Sequence, residues 1–329
     1  MVSTIFKGVS KMISNILNKF YNGEILSKED LLNLLKINVG SSDYYKLLAT
    51  ANNYSRTSFS SKGTVFGQIG LDNQPCRINC KFCSLAANVR EKLPCQIRSI
   101  EDTVHEAKTM VDAGVDDVFL MTTAEFSQEK FLDYCVAVRK VLPASTRLVA
   151  NVGDFDLEYA KRLKGSGVTG AYHICRLGEE IDTETTLSKR MKTLDAVRDA
   201  GLELYYCVEP IGPEHTDDQL VTEMMRTRDY PVGVMAVMKR TAVPGTLLAY
   251  RGEISAARLA QICAITTLAM RPSRAMGVHE PDELCLMAGA NQIYAEFGTN
   301  PRDTEEETSK SRGYSVAQAR ALLKKAEWI

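Results

Sequence analysis

Short, continuously apolar segments alternate with longer amphipathic segments along most of the chain, starting at about Val65. Apolar runs of this length are typical of parallel strands that are covered on both faces. We predict eight strands, at Val65–Ile69, Val115–Met121, Leu148–Val152, Gly170–Cys175, Leu202–Val208, Val232–Val237, Ala275–Val278 and Gln292–Glu296. The segments between them have helical periodicity, which predicts helices at Ile100–Ala113, Gln128–Leu142, Leu157–Gly165, Ser188–Ala200, Asp217–Thr227 and Ala256–Met270.

The alternation of eight strands with helices predicts an α/β fold, a (β/α)8 barrel of the TIM type. A doubly wound open sheet is the alternative. Residues 12–60 have helical character, and Ser27–Asp30 resembles a capping box ahead of an apolar run. Tyr314–Trp328 is predicted as a final amphipathic helix with Ser315 as its N-cap. No linker divides the chain, so we predict a helical N-terminal extension over residues 1–60 and one barrel, with a C-terminal wrap and helix, over residues 61–329.

The bulk composition favours a globular protein of the cytoplasm. Apolar residues make up 45% of the chain and charged residues 25%, with a formal net charge of −1 that predicts no nucleic-acid partner. No apolar run approaches the roughly 18 residues of a membrane span, so no membrane partner is expected. The first twenty residues lack the features of a secretory signal, and Met12 is an alternative start that leaves open whether residues 1–11 are native. An odd count of nine cysteines argues against a disulfide framework.

Three of these cysteines form the most specific motif of the sequence. Cys76, Cys80 and Cys83 have the spacing C-x3-C-x2-C and follow the first predicted strand. In a barrel this places them at the C-terminal mouth, where active sites form. Three thiolates can hold three irons of a 4Fe–4S cube and leave the fourth iron open for a ligand. The alternatives are incidental cysteines or a zinc site, and zinc would need a fourth ligand that no nearby Cys or His pair supplies.

This motif, with the aromatic Phe82 before its last cysteine, resembles the signature of the radical S-adenosylmethionine (SAM) superfamily. The resemblance implies that the open iron binds SAM and that an electron from the cluster cleaves SAM to a 5′-deoxyadenosyl radical. The electron would come from a donor such as flavodoxin or ferredoxin. From about Thr64 to Lys325 the chain resembles the biotin synthase group, most clearly at Leu286–Ile293 and Gly298–Thr304, and also at Lys192–Leu202.

The resemblance also implies further contacts to SAM near the ends of the predicted strands. Thr122 and Thr123 follow the second strand, in the place of a small-residue motif that receives the methionine end of SAM; an ordinary turn is the alternative. Asn151 ends the third strand and is a candidate partner for the ribose or a turn residue. The guanidinium of Arg176 is suited to grip a carboxylate, although it is also explicable as a surface arginine. After the fifth strand, Glu209 is a candidate polar contact and Ile211 a candidate apolar contact to the adenine.

The chain departs from the usual biotin synthase in its second cluster. An alignment by eye places Leu120, Val149, Tyr205 and Gly277 where that group has the ligands of a 2Fe–2S cluster, and none of these residues can ligate iron. Three other cysteines, Cys95, Cys175 and Cys207, lie in loops or strands near the predicted mouth. They are candidate ligands of a different auxiliary iron–sulfur cluster, or else buried thiols.

The leading interpretation is sulfur insertion that converts dethiobiotin to biotin. A lipoyl-type sulfur insertion is an alternative. So is a radical rearrangement or fragmentation without an auxiliary cluster, as in methylornithine synthase or the hydrogenase maturase. The oligomeric state, including a homodimer, is left open.

Overall fold

Eight parallel strands form a closed barrel in the structure, a computed structural model that describes residues 2–90, 94–304 and 313–329, with side chains from residue 11 onward. Each strand pairs with the next in chain order, and the last pairs with the first from Thr64↔Gln292 to Gly70↔Gly298. This closure confirms the predicted TIM-type barrel and excludes the open sheet. The strands are β1 (Thr64–Gly70), β2 (Asp117–Met121), β3 (Arg147–Asn151), β4 (Gly170–Tyr172), β5 (Glu203–Ile211), β6 (Val232–Lys239), β7 (Ala275–Val278) and β8 (Gln292–Gly298).

Helices surround the barrel and precede it. In the described residues they are α1 (Val2–Tyr21), α2 (Lys28–Leu35), α3 (Ser42–Ser58), α4 (Ala87–Arg90), α5 (Ile100–Asp112), α6 (Gln128–Arg139), α7 (Leu157–Gly165), α8 (Leu187–Asp199), α9 (Asp217–Met225), α10 (Ala256–Met270), α11 (Glu283–Leu286) and α12 (Val316–Lys325), with a 3-10 turn at Ala249–Arg251. The capping box at Ser27 and Asp30 is confirmed, and so is Ser315 as the N-cap of α12. The three short elements α4, α11 and the 3-10 turn were not predicted, because segments of three or four residues carry no periodicity.

The N-terminal helices lie against α10. Gln261 of α10 donates its side-chain amide to the carbonyl oxygens of Leu34 and Ile37 at 3.0 Å, which satisfies the end of α2. Tyr44 of α3 donates its hydroxyl to the carbonyl of Ala257 at 2.9 Å. Among the helices that the structure describes, none combines the length and the apolarity that crossing a membrane requires.

Four aromatic rings fill the interior of the barrel below its mouth. Phe66, Phe119, Tyr205 and Tyr294 are buried, and their ring centroids lie 5.2 to 5.9 Å apart in mainly edge-to-face contacts. We call these four residues the aromatic floor. Below it, Arg274 pairs with Asp117 at 2.6 Å. The space that remains open to ligands is therefore at the carboxyl ends of the strands, above the floor.

Candidate active site

The segment that carries the three motif cysteines, which we call the cysteine loop (residues 71–86), is tied to the loops that follow three other strands. Lys81 donates its backbone N–H to Asp182, beyond β4, and its own carbonyl accepts the N–H of Leu248, beyond β6. Ser84 donates to the carbonyl of Pro301, beyond β8. The loop is thus fixed across the barrel mouth by main-chain bonds that do not depend on a bound metal.

Cys76, Cys80 and Cys83 line one cavity at the mouth of the barrel. Burial raises the pKa of the Cys80 thiol to about 11 and raises the pKa of Cys83 as well; the charge of Arg176 opposes both shifts. Cys83 Sγ also accepts a hydrogen bond from the backbone N–H of Leu85 at 3.4 Å. A metal that replaces the thiol protons would stabilise these sulfurs as thiolates. Three thiols that line one cavity on a fixed loop fit a cluster that is bound through three of its irons.

Arg176 lines the same cavity and has an unused donor. Its Nη1 is buried without a hydrogen-bond partner. Burial acts to lower the pKa of Arg176, but the neighbouring Cys80, Glu179 and Glu209 raise it, so the guanidinium stays charged. A buried cation with a free N–H in a cavity is suited to the carboxylate of SAM, as the sequence predicts.

An ionic network that the sequence did not reveal positions Arg176. Glu179 accepts the backbone N–H of Arg176 at 3.0 Å and the side chain of Arg190 at 3.2 Å. Arg190 in turn pairs with Asp154 at 3.1 Å. Burial acts to raise the pKa of Asp154, but the neighbouring His173, Arg190 and Lys189 lower it, so this carboxylate is ionised.

The residues after β2 and β3 line the cavity through small side chains and backbone. Thr122, Thr123 and Asn151 all lie in its wall, and Thr122 donates its N–H to the carbonyl of Asn151 at 2.9 Å. The Thr123 hydroxyl, however, donates to the buried Asp72 at 2.6 Å. Thr123 therefore holds the cysteine loop, which includes Asp72, rather than offering its hydroxyl to a ligand.

Three further predicted contacts differ in where the structure places them. Phe82 and Glu209 line the cavity, as expected. Ile211 does not: it is 1% exposed and lies outside the cavity wall, and its apolar contact to adenine stays a prediction. A register shift in the pairing of β5 with β6, between Val208 and Ile211, changes which side chains face inward. The apolar wall here is formed by Pro210, Met238 and Val243.

The structure does not bring the three candidate auxiliary cysteines together. Cys95 is exposed. Cys175 lies beyond the end of β4 and packs outward, with its sulfur 3.7 Å from that of Met191 in α8. Cys207 alone among the three faces the barrel interior, two residues after Tyr205 on β5. The expectation that all three converge on an auxiliary cluster is therefore corrected.

The alignment of Leu120 with a cluster ligand is also corrected. Leu120 packs in the core outside the barrel wall, whereas its neighbour Phe119 belongs to the aromatic floor. Because side chains alternate along a strand, an alignment that is displaced by one residue exchanges the two faces of the sheet.

The inner end of the cavity, formed by Tyr172, Glu209, His279 and Tyr294, lies against the aromatic floor. Glu209 accepts a hydrogen bond from Tyr172 at 2.8 Å and lies 3.6 Å from His279. Burial acts to raise the pKa of Glu209, but His279, Arg176 and Tyr172 together lower it, so Glu209 is a carboxylate. The inner end is polar and charged, although it is buried.

A second group beside the inner end comes from the segment after β8. Arg302 donates to Glu296 and to the carbonyl of His279, and pairs with Glu280 at 3.1 Å. Asn300 donates to Glu296 at 2.5 Å. Burial, opposed by the charge of Arg302, raises the pKa of Glu296 to about 7. The motif at Gly298–Thr304 does not by itself indicate a role for Asn300 or Arg302, and His279, a single histidine at a strand end, carries no signal in the sequence.

Comparison with protein families and curated proteins agrees with this geometry. The sequence model of the Radical SAM superfamily matches residues 74–226, which include the cysteine motif. A biotin synthase of Clostridioides difficile is 26% identical over 247 residues, covering 71% of this chain and 75% of that protein. A biotin synthase of Nitrosopumilus maritimus is 25% identical over 299 residues, covering 86% of this chain and 90% of that protein.

Solved structures with the same fold include two that superpose over nearly the whole chain. The FeFe-hydrogenase maturase HydG from Carboxydothermus hydrogenoformans has a TM-score of 0.77 at 16% identity, covering 99% of this chain and 81% of that one. Methylornithine synthase (PylB) has a TM-score of 0.77 at 16% identity, covering 95% of both chains. At these identities the likeness concerns the fold.

Proposed function

We propose, from the match of residues 74–226 to the Radical SAM family model, that this chain is a radical SAM enzyme and that it inserts sulfur into dethiobiotin to form biotin. One observation carries the proposal. Asn300 and Arg302, from the segment that resembles the biotin synthase ending, line the same cavity as the three motif cysteines. The segment whose sequence resembles the biotin synthase ending thus contributes to the wall of the site.

Side chains at different positions along the cavity have different roles in this proposal. When bound, the cluster and SAM supply a one-electron cleavage whose product abstracts hydrogen from unactivated C–H bonds. Cys76, Cys80 and Cys83 hold the cluster, and Arg176 binds the SAM carboxylate. The inner end, where Glu209 and His279 lie, is left for a polar substrate group.

The sulfur in this proposal is supplied by an auxiliary iron–sulfur cluster or by inorganic sulfide. Cys207 is buried and faces the interior from β5, at the inner end where substrate would lie. The charged lining favours dethiobiotin, which carries a carboxylate and a ureido ring, over the apolar octanoyl chain of a lipoyl-type reaction.

Anaerobic reconstitution followed by mass spectrometry tests the proposal. We expect biotin and 5′-deoxyadenosine from dethiobiotin, SAM and a reduced flavodoxin or ferredoxin, with about eight irons per chain. Cys80→Ala is the matched control that should form neither product. Formation of 5′-deoxyadenosine without biotin, together with about four irons per chain, contradicts sulfur insertion.

A second candidate is rearrangement or fragmentation of a small polar molecule such as an amino acid, without an auxiliary cluster. The specific observation in its favour is that Cys95 and Cys175 lie away from the interior, which leaves Cys207 as the only one of the candidate auxiliary cysteines that faces the cavity region. Incubation with fully deuterated amino acids distinguishes the two. Transfer of deuterium into 5′-deoxyadenosine supports rearrangement or fragmentation, and transfer from deuterated dethiobiotin alone supports sulfur insertion.

A further inference from the structure

Three buried side chains with different metal-binding chemistry converge at the inner end of the cavity. The sulfur of Cys207, a carboxylate oxygen of Glu209 and a ring nitrogen of His279 all lie within 4.8 Å of one another. The three residues are 0%, 7% and 8% exposed. Among the residues that the structure describes, no other three or more His, Cys, Asp or Glu side chains come so close together.

The barrel register explains this convergence. Cys207 and Glu209 are two residues apart on β5, so both point inward. Val208 of β5 pairs with Val237 of β6, which pairs with Val278 of β7, so that His279 lies one residue further along, level with Glu209.

Small residues face these side chains from the neighbouring strands. At the level of Cys207, the paired positions on β6 and β7 are Ala236 and Gly277. The buried side chain of Gln292 lies over Gly277, where a Cβ atom would be 2.2 Å from its Oε1.

The polar groups of this cluster are incompletely satisfied by protein. His279 Nε2 is buried without a hydrogen-bond partner. Its Nδ1 is 3.6 Å from Glu209, which is longer than a hydrogen bond. A buried imidazole nitrogen without a partner is costly, and native proteins usually give such a group a ligand, ion or water.

We propose that Cys207, Glu209 and His279 bind a single divalent transition-metal ion. Thiolate, imidazole and carboxylate are the ligands of zinc-type sites, and three protein ligands leave the fourth position open. Bonds of about 2.0 to 2.3 Å place tetrahedral ligands roughly 3.5 Å apart, so small side-chain rotations bring the three residues onto one ion.

The local charges suit such an ion. The Cys207 thiolate and the Glu209 carboxylate together balance a charge of two. The nearby cation Arg302 is already paired with Glu280 and Glu296, so it does not compete for these ligands. The open coordination position faces the cavity, because Glu209 and His279 both line it. The ion would therefore bind an anionic or chelating group of the substrate, beside the cofactor.

Zinc is the probe for this site, since it is distinct from the iron of the cluster. The cluster-loaded holoenzyme is incubated anaerobically with Zn2+, desalted, and measured by elemental analysis and X-ray absorption at the zinc edge. We expect about one zinc per chain, with one sulfur and two or three nitrogen or oxygen neighbours. Cys207→Ser and His279→Gln should each weaken zinc binding by about a hundredfold or more. Cys175→Ser, which changes an outward thiol near β4, is the matched control and should bind zinc normally.

Several results would overturn the single-ion site. They are no zinc in the desalted protein, zinc with three sulfur neighbours (the cysteine loop rather than this site), and unchanged zinc binding in Cys207→Ser. The protein could also hold iron and sulfide beyond the 4Fe–4S cluster and lose them in Cys207→Ser. That result would show that Cys207 binds an auxiliary cluster and not a single ion. The wild-type absorption spectrum decides the ligand set even where a variant fails to fold. Zinc stoichiometry is measured without substrate, so a failure to make biotin leaves this test unaffected.

Discussion

Ser84 in the cysteine loop donates both its backbone N–H and its hydroxyl to the carbonyl oxygen of Pro301, at 3.2 and 3.0 Å. The two residues are 217 positions apart in sequence and meet because β1 and β8 are neighbours in the closed barrel. The bond joins the loop with the three cysteines to the segment with Asn300 and Arg302. The cysteine loop and the inner end of the cavity therefore depend on the same contact between the segments that follow the first and last strands.

Gly70→Ala tests this dependence. A Cβ atom at Gly70, the last residue of β1, would lie 2.1 Å from the carbonyl oxygen of Thr299, so the backbone ahead of Pro301 must move. We expect a loss of about 1 to 3 kcal/mol in the free energy of unfolding and a lower iron content after reconstitution. Denaturant unfolding and iron analysis measure the two effects.

Gly165→Ala is the matched control for that change. Gly165 lies in α7, where a Cβ atom meets nothing within 4 Å. Alanine is favoured over glycine in a helix by about 0.5 to 1 kcal/mol, so this variant should be as stable as the wild type or more stable. Equal losses in both variants would argue against a specific role of Gly70.

Replacement of Cys80 by alanine should abolish the cluster and the cleavage of SAM together. Two thiolates cannot hold the cube as three do. The visible absorption of the reconstituted protein and the amount of 5′-deoxyadenosine measure the outcome. Cys95→Ala, which changes an exposed cysteine outside the cavity wall, should keep both. A cluster that survives in Cys80→Ala would show that other ligands hold it.

Arg176→Met should weaken SAM binding while leaving the cluster in place. A hydrogen bond to a charged group contributes about 1.5 to 3 kcal/mol, which corresponds to roughly 10- to 100-fold in affinity. Equilibrium dialysis with labelled SAM measures the affinity, and iron analysis checks the cluster. Arg162→Met removes an exposed arginine that pairs with Glu129, and it should change neither quantity. Unchanged SAM binding in Arg176→Met would remove this residue from the cofactor site.

Glu296 should make the folded state less stable as the pH rises. Its pKa is about 7 in the folded protein and near 4.5 when unperturbed, because burial favours the neutral acid. Between about pH 4.5 and pH 7 the folded state binds more protons than the unfolded state, so its stability falls, by at most about 1.4 kcal/mol per pH unit. Glu296→Gln should flatten this slope in urea unfolding between pH 5 and pH 8. Parallel slopes for the two proteins would contradict the assignment.

The barrel itself could be predicted from the sequence because each strand carries its own signal. Strands that are covered on both faces are recognisable as apolar runs, and the cysteine spacing marks the metal site within eight residues of chain. Asn151 and Arg176 could be placed at the mouth because Asn151 ends β3 and Arg176 follows β4, and the fold fixes the direction of both strands.

Features that depend on distant residues could not be predicted. Whether Cys175 or Ile211 points inward depends on where β4 ends and on the register shift in β5, and neither is visible in local sequence. The contact of Thr123 with Asp72 requires the cysteine loop to fold back over β2. The closeness of His279 to Cys207 and Glu209 becomes recognisable only when β5 and β7 are aligned through β6.

In the described part of the chain, the aromatic floor closes the barrel interior at one end. Phe66 and Phe119 close the interior beneath Tyr294, so a molecule that reaches His279 enters through the opening that the cofactor also uses. A substrate that binds at the inner end must then bind before SAM and leave after it. Saturating SAM in advance should slow productive loading, and the order in which the two molecules are added becomes a kinetic variable of the enzyme.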